Sequence, residues 1–139
     1  MILLDTNVVS GLMKSESKAA IGAWLDTQRR NSVWTSAITV FEIRMGIELL
    51  PPSRRRQALE DTFARAIDVS FAGRIASFDE AAAQTAGKIA AGRQQIGRSL
   101  DVRDLRIAGI AIARDAALAT GNIRHFEGLG IELIDPWAA

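Results

Sequence analysis

The 139 residues contain no cysteine, which removes disulfides, thiolate catalysis, cysteine-type zinc fingers and iron–sulfur clusters in one step. A single histidine, His125, makes a multi-histidine metal site impossible within one chain. The apolar runs fall far short of a membrane span, and Asp5 stands where a signal peptide would carry positive charge. A soluble cytoplasmic protein without a membrane partner is the expectation. Neither sign of charge is in excess, since 17 Lys and Arg against 16 Asp and Glu leave +1. Contact with a polyanion must therefore come from a local patch. Internal repeats, low-complexity tracts and long linkers are missing, as are a Walker loop, a Rossmann glycine pattern and a G-x-S-x-G elbow.

What remains is a chain with 48% hydrophobic residues, enough to build a core, so disorder is excluded as the main state and one domain over residues 1–139 is expected. Ile2-Leu3-Leu4 reads as a buried strand ending at Asp5-Thr6-Asn7, followed by a short helix from Thr6 to Met13. A second helix spans Ser17 to Arg30, and Val33-Trp34-Thr35 is the next strand. Helical spacing runs from Ala37 to Leu50 and stops at Pro51-Pro52; Ser53 then caps a helix reaching about Ala66. Gly73 to Phe78 is a third strand, and Asp79 caps an Ala-rich helix from Glu80 to Gln94. After a loop at Gly97 come a helix from Val102 to Arg114, a strand at Ala117–Thr120, a turn bracketed by Gly128 and Gly130, and a last strand, Ile131 to Ile134. Short apolar strands alternating with helices predict an α/β fold, a parallel sheet covered on both faces.

Three acidic residues stand where this pattern wants apolar ones. Asp5 ends the first strand, where open parallel sheets place their ligand crevice; it is equally suited to cap the next helix. Glu42 has Ile38, Met45, Gly46 and Leu49 as its helical neighbours, so it lies at the edge of a buried stripe, pairs with Arg44, or is held inside by another partner. Asp104 sits likewise among Leu100, Ile107, Ala108 and Ala111, or simply favours the first turn of its helix. All three can converge on one end of the sheet. Unpaired carboxylates gathered there would cost on the order of several kcal/mol, a conflict that a divalent cation resolves. Oxygen-only ligands select Mg²⁺, with Mn²⁺ as a substitute, and such an ion suits phosphate chemistry.

Smaller signals surround these. Asn122, after Thr120-Gly121, falls at another strand end, where its carbonyl oxygen can reach a metal or its water; a plain turn residue is the alternative. Thr6, Ser36 and Thr120 also lie at strand ends, suited to positioning a water or phosphate or to capping helices. His125 reads better as a surface loop residue than as a general base. From Lys88 to Arg106 five basic residues face two acidic ones, a local balance of +3. Arg54-Arg55-Arg56 reads as a solvated helix start. Val8, Val9, Leu12, Met13 and Trp24 offer a partner groove, although ordinary core is the stronger reading.

Taken in order, MILLDTNVVS, TSAITVFEIRMGIELL, DVRDLRIAGIAIA and LATGNIRHFEGLGIELIDPW resemble, over nearly the full length, the PIN-domain toxins of bacterial toxin–antitoxin pairs, in particular the VapC and FitB type. The resemblance implies a five-stranded parallel sheet between helices and a magnesium-dependent ribonuclease whose acidic residues match Asp5, Glu42 and Asp104. It implies homodimers, a small antitoxin lying across the toxin groove, and promoter DNA contacted only through that antitoxin. Some members carry a fourth acidic residue at the position of Asn122 and others at that of His125; this chain carries neither. The expected activity is endonucleolytic cleavage of RNA, leaving a 5′-phosphate and a 3′-hydroxyl. Asp5 and Asp104 would hold the ion, Glu42 would bind it or orient its water, and Arg103 and Arg106 would hold the RNA backbone. Two rivals are a catalytically weak module that binds RNA or the antitoxin, and a DNA-directed nuclease or phosphatase with the same acids.

Overall fold

The computed structural model describes residues 1–138. Five strands form one parallel sheet: β1 (Ile2–Leu4), β2 (Val33–Ser36), β3 (Ile75–Ala76), β4 (Ala117–Ala119) and β5 (Leu133–Ile134), in the spatial order β3-β2-β1-β4-β5. Seven α-helices accompany them: α1 (Thr6–Leu12), α2 (Ser15–Leu25), α3 (Ala37–Glu48), α4 (Arg54–Arg65), α5 (Glu80–Gln95), α6 (Val102–Ala113) and α7 (Ile123–Phe126).

The sheet is buried on both faces, which is why its strands read as unbroken apolar runs. Alternation along β1 sends Leu4 into one cluster with Val8, Ile21, Ile43 and Phe63 of α1 to α4. It sends Leu3 into another with Ala82, Ile107, Ile110 and Phe126 of α5 to α7. Each fully buried leucine contributes about 1.5–3 kcal/mol of transfer free energy. In register, Leu3 pairs with Trp34 on β2 and with Leu118 on β4.

From β1 the chain steps outward to β2 and β3, then crosses back to β4 and β5 on the other side. The connections therefore reverse between β1 and β4, and the crevice at the carboxyl ends of those two strands is where such sheets bind ligands. Asp5 and Thr120 are the residues that leave β1 and β4 there.

Several expected boundaries shift. The second helix ends at Leu25 rather than Arg30, because the Thr27 hydroxyl donates to the Trp24 carbonyl at 2.6 Å and Arg30–Ser32 winds into a separate 3₁₀ turn. The expected strand from Gly73 to Phe78 shrinks to Ile75–Ala76, since Ala72 and Gly73 take positive φ in the turn that feeds it. The last strand keeps only Leu133–Ile134. The continuation of α4 into a π-type turn, Ala66–Ser70, and the short α7 carried no periodic signal. Arg56 is not merely solvated, for it pairs with Glu48 and Glu60 and ties the end of α3 to α4. Among the described residues no helix is long and apolar enough to cross a membrane.

Candidate active site

Asp5 is fixed by its neighbours before any ligand is considered. Its N–H donates to the Ala119 carbonyl at 2.9 Å, pinning it between β1 and β4. Its Oδ1 accepts from the Thr6 N–H at 2.8 Å, and its Oδ2 accepts from the Thr120 hydroxyl at 2.8 Å. Asp5 thus caps α1 while its carboxylate also lines the cleft at the strand ends. Thr120 is fully buried, and its oxygen also accepts the Asn122 N–H at 2.9 Å, so the β4 end is tied to the same carboxylate. Burial pushes the Asp5 carboxyl above its ordinary value, the two hydrogen bonds oppose this, and the charges of Asp104 and Glu42 add to the rise.

Glu42 lies on α3 with its side chain 11% exposed. Its Oε1 accepts from the Thr6 hydroxyl at 2.9 Å, and its Oε2 accepts from Arg103 Nη1 at 3.0 Å. Because Thr6 gives its proton to Glu42, Thr39 must donate to Thr6 across 3.0 Å, and Ser36 donates to Thr39 at 3.3 Å. A row of hydroxyls therefore runs from the buried end of β2 to Glu42, each bond polarising the next. Ser36 itself caps α3 by accepting the Thr39 N–H and does not line the cleft, so its expected contact with water or phosphate gives way to this indirect one. The expected partner Arg44 instead pairs with Glu48. The stripe expected around Glu42 is also corrected: Thr39, Ile43 and Ile47 face the core, whereas Met45 and Leu49 are exposed.

Asp104, in the first turn of α6, accepts from or pairs with His125 Nδ1 at 3.0 Å. Its carboxyl is raised by burial, with His125 pulling the other way. His125 is exposed, as its sequence context suggested, but sits on α7 rather than in a loop and lines the same cleft. Asp101 caps α6 by accepting the Arg103 N–H at 2.8 Å, a bond that holds its carboxyl below the ordinary value. Arg103 thus bridges Asp101 and Glu42. Arg106 is exposed and lies away from the cleft.

Asp5, Thr6, Glu42, Asp104, Asn122 and His125 line one cleft of about 760 Å³ at the switch point. Its walls carry five carboxylates, Asp5, Glu42, Asp101, Asp104 and Asp135, against Lys14 and Arg103. In chemistry this donor set fits a hard dication, being all oxygen, in negative excess and partly desolvated. Among the described residues no three His, Asp or Glu side chains are gathered as a ready ion cage. Glu42 and Asp104 are instead turned to Arg103 and His125. Asn7 and Trp137 also line the cleft, although the sequence pattern singles out neither as a site residue. Asn7 accepts the Gly121 N–H at 3.2 Å, a role that its place two residues after Asp5 in the first turn of α1 could have suggested.

A PIN-domain family model matches residues 2–130. The chain is 35% identical to the VapC ribonuclease Y4jK of Sinorhizobium fredii over 137 residues, 99% of this chain and 98% of that one. It is 34% identical to the toxin FitB of Neisseria gonorrhoeae, covering 99% of each. The crystal structure of FitAcB from N. gonorrhoeae superposes with a TM-score of 0.90 at 33% identity over the whole of both chains. A structure of FitAB bound to an IR36 DNA fragment gives 0.89 at 34% identity, covering 99% of this chain and 96% of that one. The chain belongs to the PIN-domain family and, within it, to the toxins of the VapC and FitB type.

Proposed function

We propose that this protein is a magnesium-dependent endoribonuclease, the toxin of a toxin–antitoxin pair. The observation that carries the reading is the convergence of Asp5, Glu42 and Asp104, from three separate stretches of chain, on one cleft at the switch point of the sheet. A cleft with five carboxylates and two basic side chains repels a nucleic acid on its own, so a bound cation has a clear electrostatic task there. Asp5 and Asp104 would hold Mg²⁺, or Mn²⁺ in its place, and Glu42 would bind it or orient its water. When bound, the ion supplies a water of lowered pKa and neutralises the phosphate. Thr6 and Thr120 orient the carboxylates of Glu42 and Asp5, and Asn122 is held beside them through its backbone. Arg103 stands at the rim, where it can exchange Glu42 for a phosphate oxygen. Arg106, away from the cleft, is left a role only along a longer RNA. Relatives that bear the names ribonuclease and endonuclease support the reaction class.

The partners follow the same logic. A second groove, of about 600 Å³, is lined by Val9, Leu12, Met13, Leu25 and Phe71 and bordered by Lys18, Arg30 and Arg65 against the single acid Asp26. It suits an apolar antitoxin segment with acidic flanks, while Val8 and Trp24 belong to the core. Promoter DNA would be reached through the antitoxin, in keeping with the FitAB–DNA structure. A homodimer is proposed through the exposed face of α3.

The test is cleavage of single-stranded RNA in Mg²⁺ by wild type and by Asp5→Asn and Asp104→Asn, with product ends analysed. Each substitution should cost on the order of a hundredfold or more, and chelation should abolish cutting. Preference for single-stranded DNA or for a phosphomonoester would move the protein to the nuclease or phosphatase alternatives. One observation favours the weak binding module: Glu42 and Asp104 already have partners. Wild type that binds RNA but stays inert in both Mg²⁺ and Mn²⁺ would establish that reading instead.

A further inference from the structure

Trp137 follows β5 and lines the same cleft as the carboxylates, with 40% of the residue exposed. A large aromatic left this open inside a concave site has a cost in water that a ligand can remove. Its position is built rather than incidental. A Cβ on Gly121 would stand 2.9 Å from Trp137 Cζ3, while one on Gly11 would run first into Ile21 Cδ1 and also stand 3.2 Å from Trp137 Cζ2. Neither glycine has a positive φ, and at Gly121 it is the room given to the indole that a side chain would take away. The Trp137 backbone N–H donates to Asp135 Oδ1 at 3.0 Å, which holds the main chain beneath the ring, and Gly121 is fixed in turn by Asn7. The ring thus packs closely on Gly121, in the turn that leads to Asn122, beside Thr120 and Asp5.

We infer that Trp137 is a stacking platform for an unpaired nucleobase next to the scissile phosphate. This rests on the ribonuclease reading of the site and adds how the substrate is oriented within it. Single-stranded RNA is held chiefly by bases splayed onto aromatic rings, and a pre-positioned indole offers that surface with little ordering cost. Lys14, lining the same cleft, is placed to meet the backbone charge. A protein segment could also cover an indole. The shared cleft with the acidic residues favours RNA, because a base stacked there brings its own phosphate toward them.

The experiment uses a synthetic RNA of about ten nucleotides that the wild type cuts in Mg²⁺, and a set of copies each with one abasic position. Trp137→Ala and Trp137→Leu should raise KM about tenfold or more with a smaller change in kcat, while Trp137→Phe recovers most of the loss. One abasic position beside the cut should raise the wild-type KM by a similar factor and leave that of Trp137→Leu unchanged. Leu keeps an apolar side chain against the glycines without a π face and serves as the variant for the abasic comparison, so a misfolded Ala variant does not decide the result. Unchanged KM in Trp137→Leu, or abasic penalties equal in wild type and variant, overturns the platform while leaving the ribonuclease reading intact; so does loss of antitoxin binding with RNA kinetics unmoved. Wild type that cuts no RNA overturns both.

Discussion

At the scale of single residues the site holds two carboxylates, Asp5 and Asp104, whose burial works against their charge. Asp5 is raised by burial, so the folded protein binds its proton more tightly than the unfolded chain does. Its contribution to stability is present at acid pH and is lost as pH rises from the ordinary aspartate value through the raised native one. Asp104 acts in the same direction. Asp101 acts oppositely: its stabilisation is present above the ordinary value and is lost as pH falls through the lowered one. Asn caps a helix as well as Asp does, so Asp5→Asn keeps the α1 cap while removing the buried charge. In metal-free protein at neutral pH this substitution should raise Tm by about 3–5 °C, corresponding to roughly 1 kcal/mol, and the gain should shrink as pH falls through the carboxylate range. Scanning calorimetry with chelator present checks this; a variant no more stable than wild type at neutral pH would contradict it. A protein made more stable by disarming one side chain has kept that side chain for function.

At the scale of elements, what could be read in the sequence was whatever depends on local pattern. The Ile2-Leu3-Leu4 run, the caps at Ser53 and Asp79, and the stop at Pro51-Pro52 are all set by neighbours in the chain. Asp5, Glu42 and Asp104 could be singled out because each interrupts an apolar pattern, and all three line the one cleft. What stayed hidden depends on contacts distant in sequence. The face of α3 that carries Met45 and Leu49 was read as core because helical spacing shows a stripe but not which side meets the sheet. The contact of His125 with Asp104 is hidden because the two lie 21 residues apart. Trp137 offered no pattern, since only the packing of Gly11 and Gly121 shows its place. The packing of α5 on α6 is similarly long-range. At Gly109 an added Cβ would stand 2.5 Å from the Ala82 carbonyl oxygen and 2.8 Å from Ala86 Cβ. Gly109→Ala gains about 1 kcal/mol in helix propensity, but must push two backbones apart, which costs about 1–3 kcal/mol. The net expectation is destabilisation in urea, with a lower midpoint; a midpoint raised by the full propensity gain would show that the helices separate freely.

At the scale of the whole molecule, the α3 stripe has a physical consequence. Phe41, Met45 and Leu49 are 63%, 45% and 78% exposed and follow one another at intervals of four, so they form one apolar ridge opposite the buried Thr39, Ile43 and Ile47. A ridge of this kind meets its own copy across a two-fold axis without a second complementary surface, since each residue finds its symmetry mate or a near neighbour. This is the support for the proposed homodimer. It places Glu42, next to Phe41 on the same helix, close behind the interface, so assembly and site share α3. Light scattering coupled to size exclusion should give twice 15.0 kDa for the wild type and 15.0 kDa for Leu49→Glu combined with Phe41→Ser. Both positions are exposed, so circular dichroism should be unchanged and the fold should lose no more than about 0.5 kcal/mol. If RNA cleavage falls with the mass, the dimer steadies the helix that carries Glu42; if cleavage persists in the monomer, the cleft of one chain suffices. A wild type that runs as a monomer at about 100 μM, a concentration at which even micromolar dimers are mostly assembled, would remove the dimer and leave the ridge to another partner.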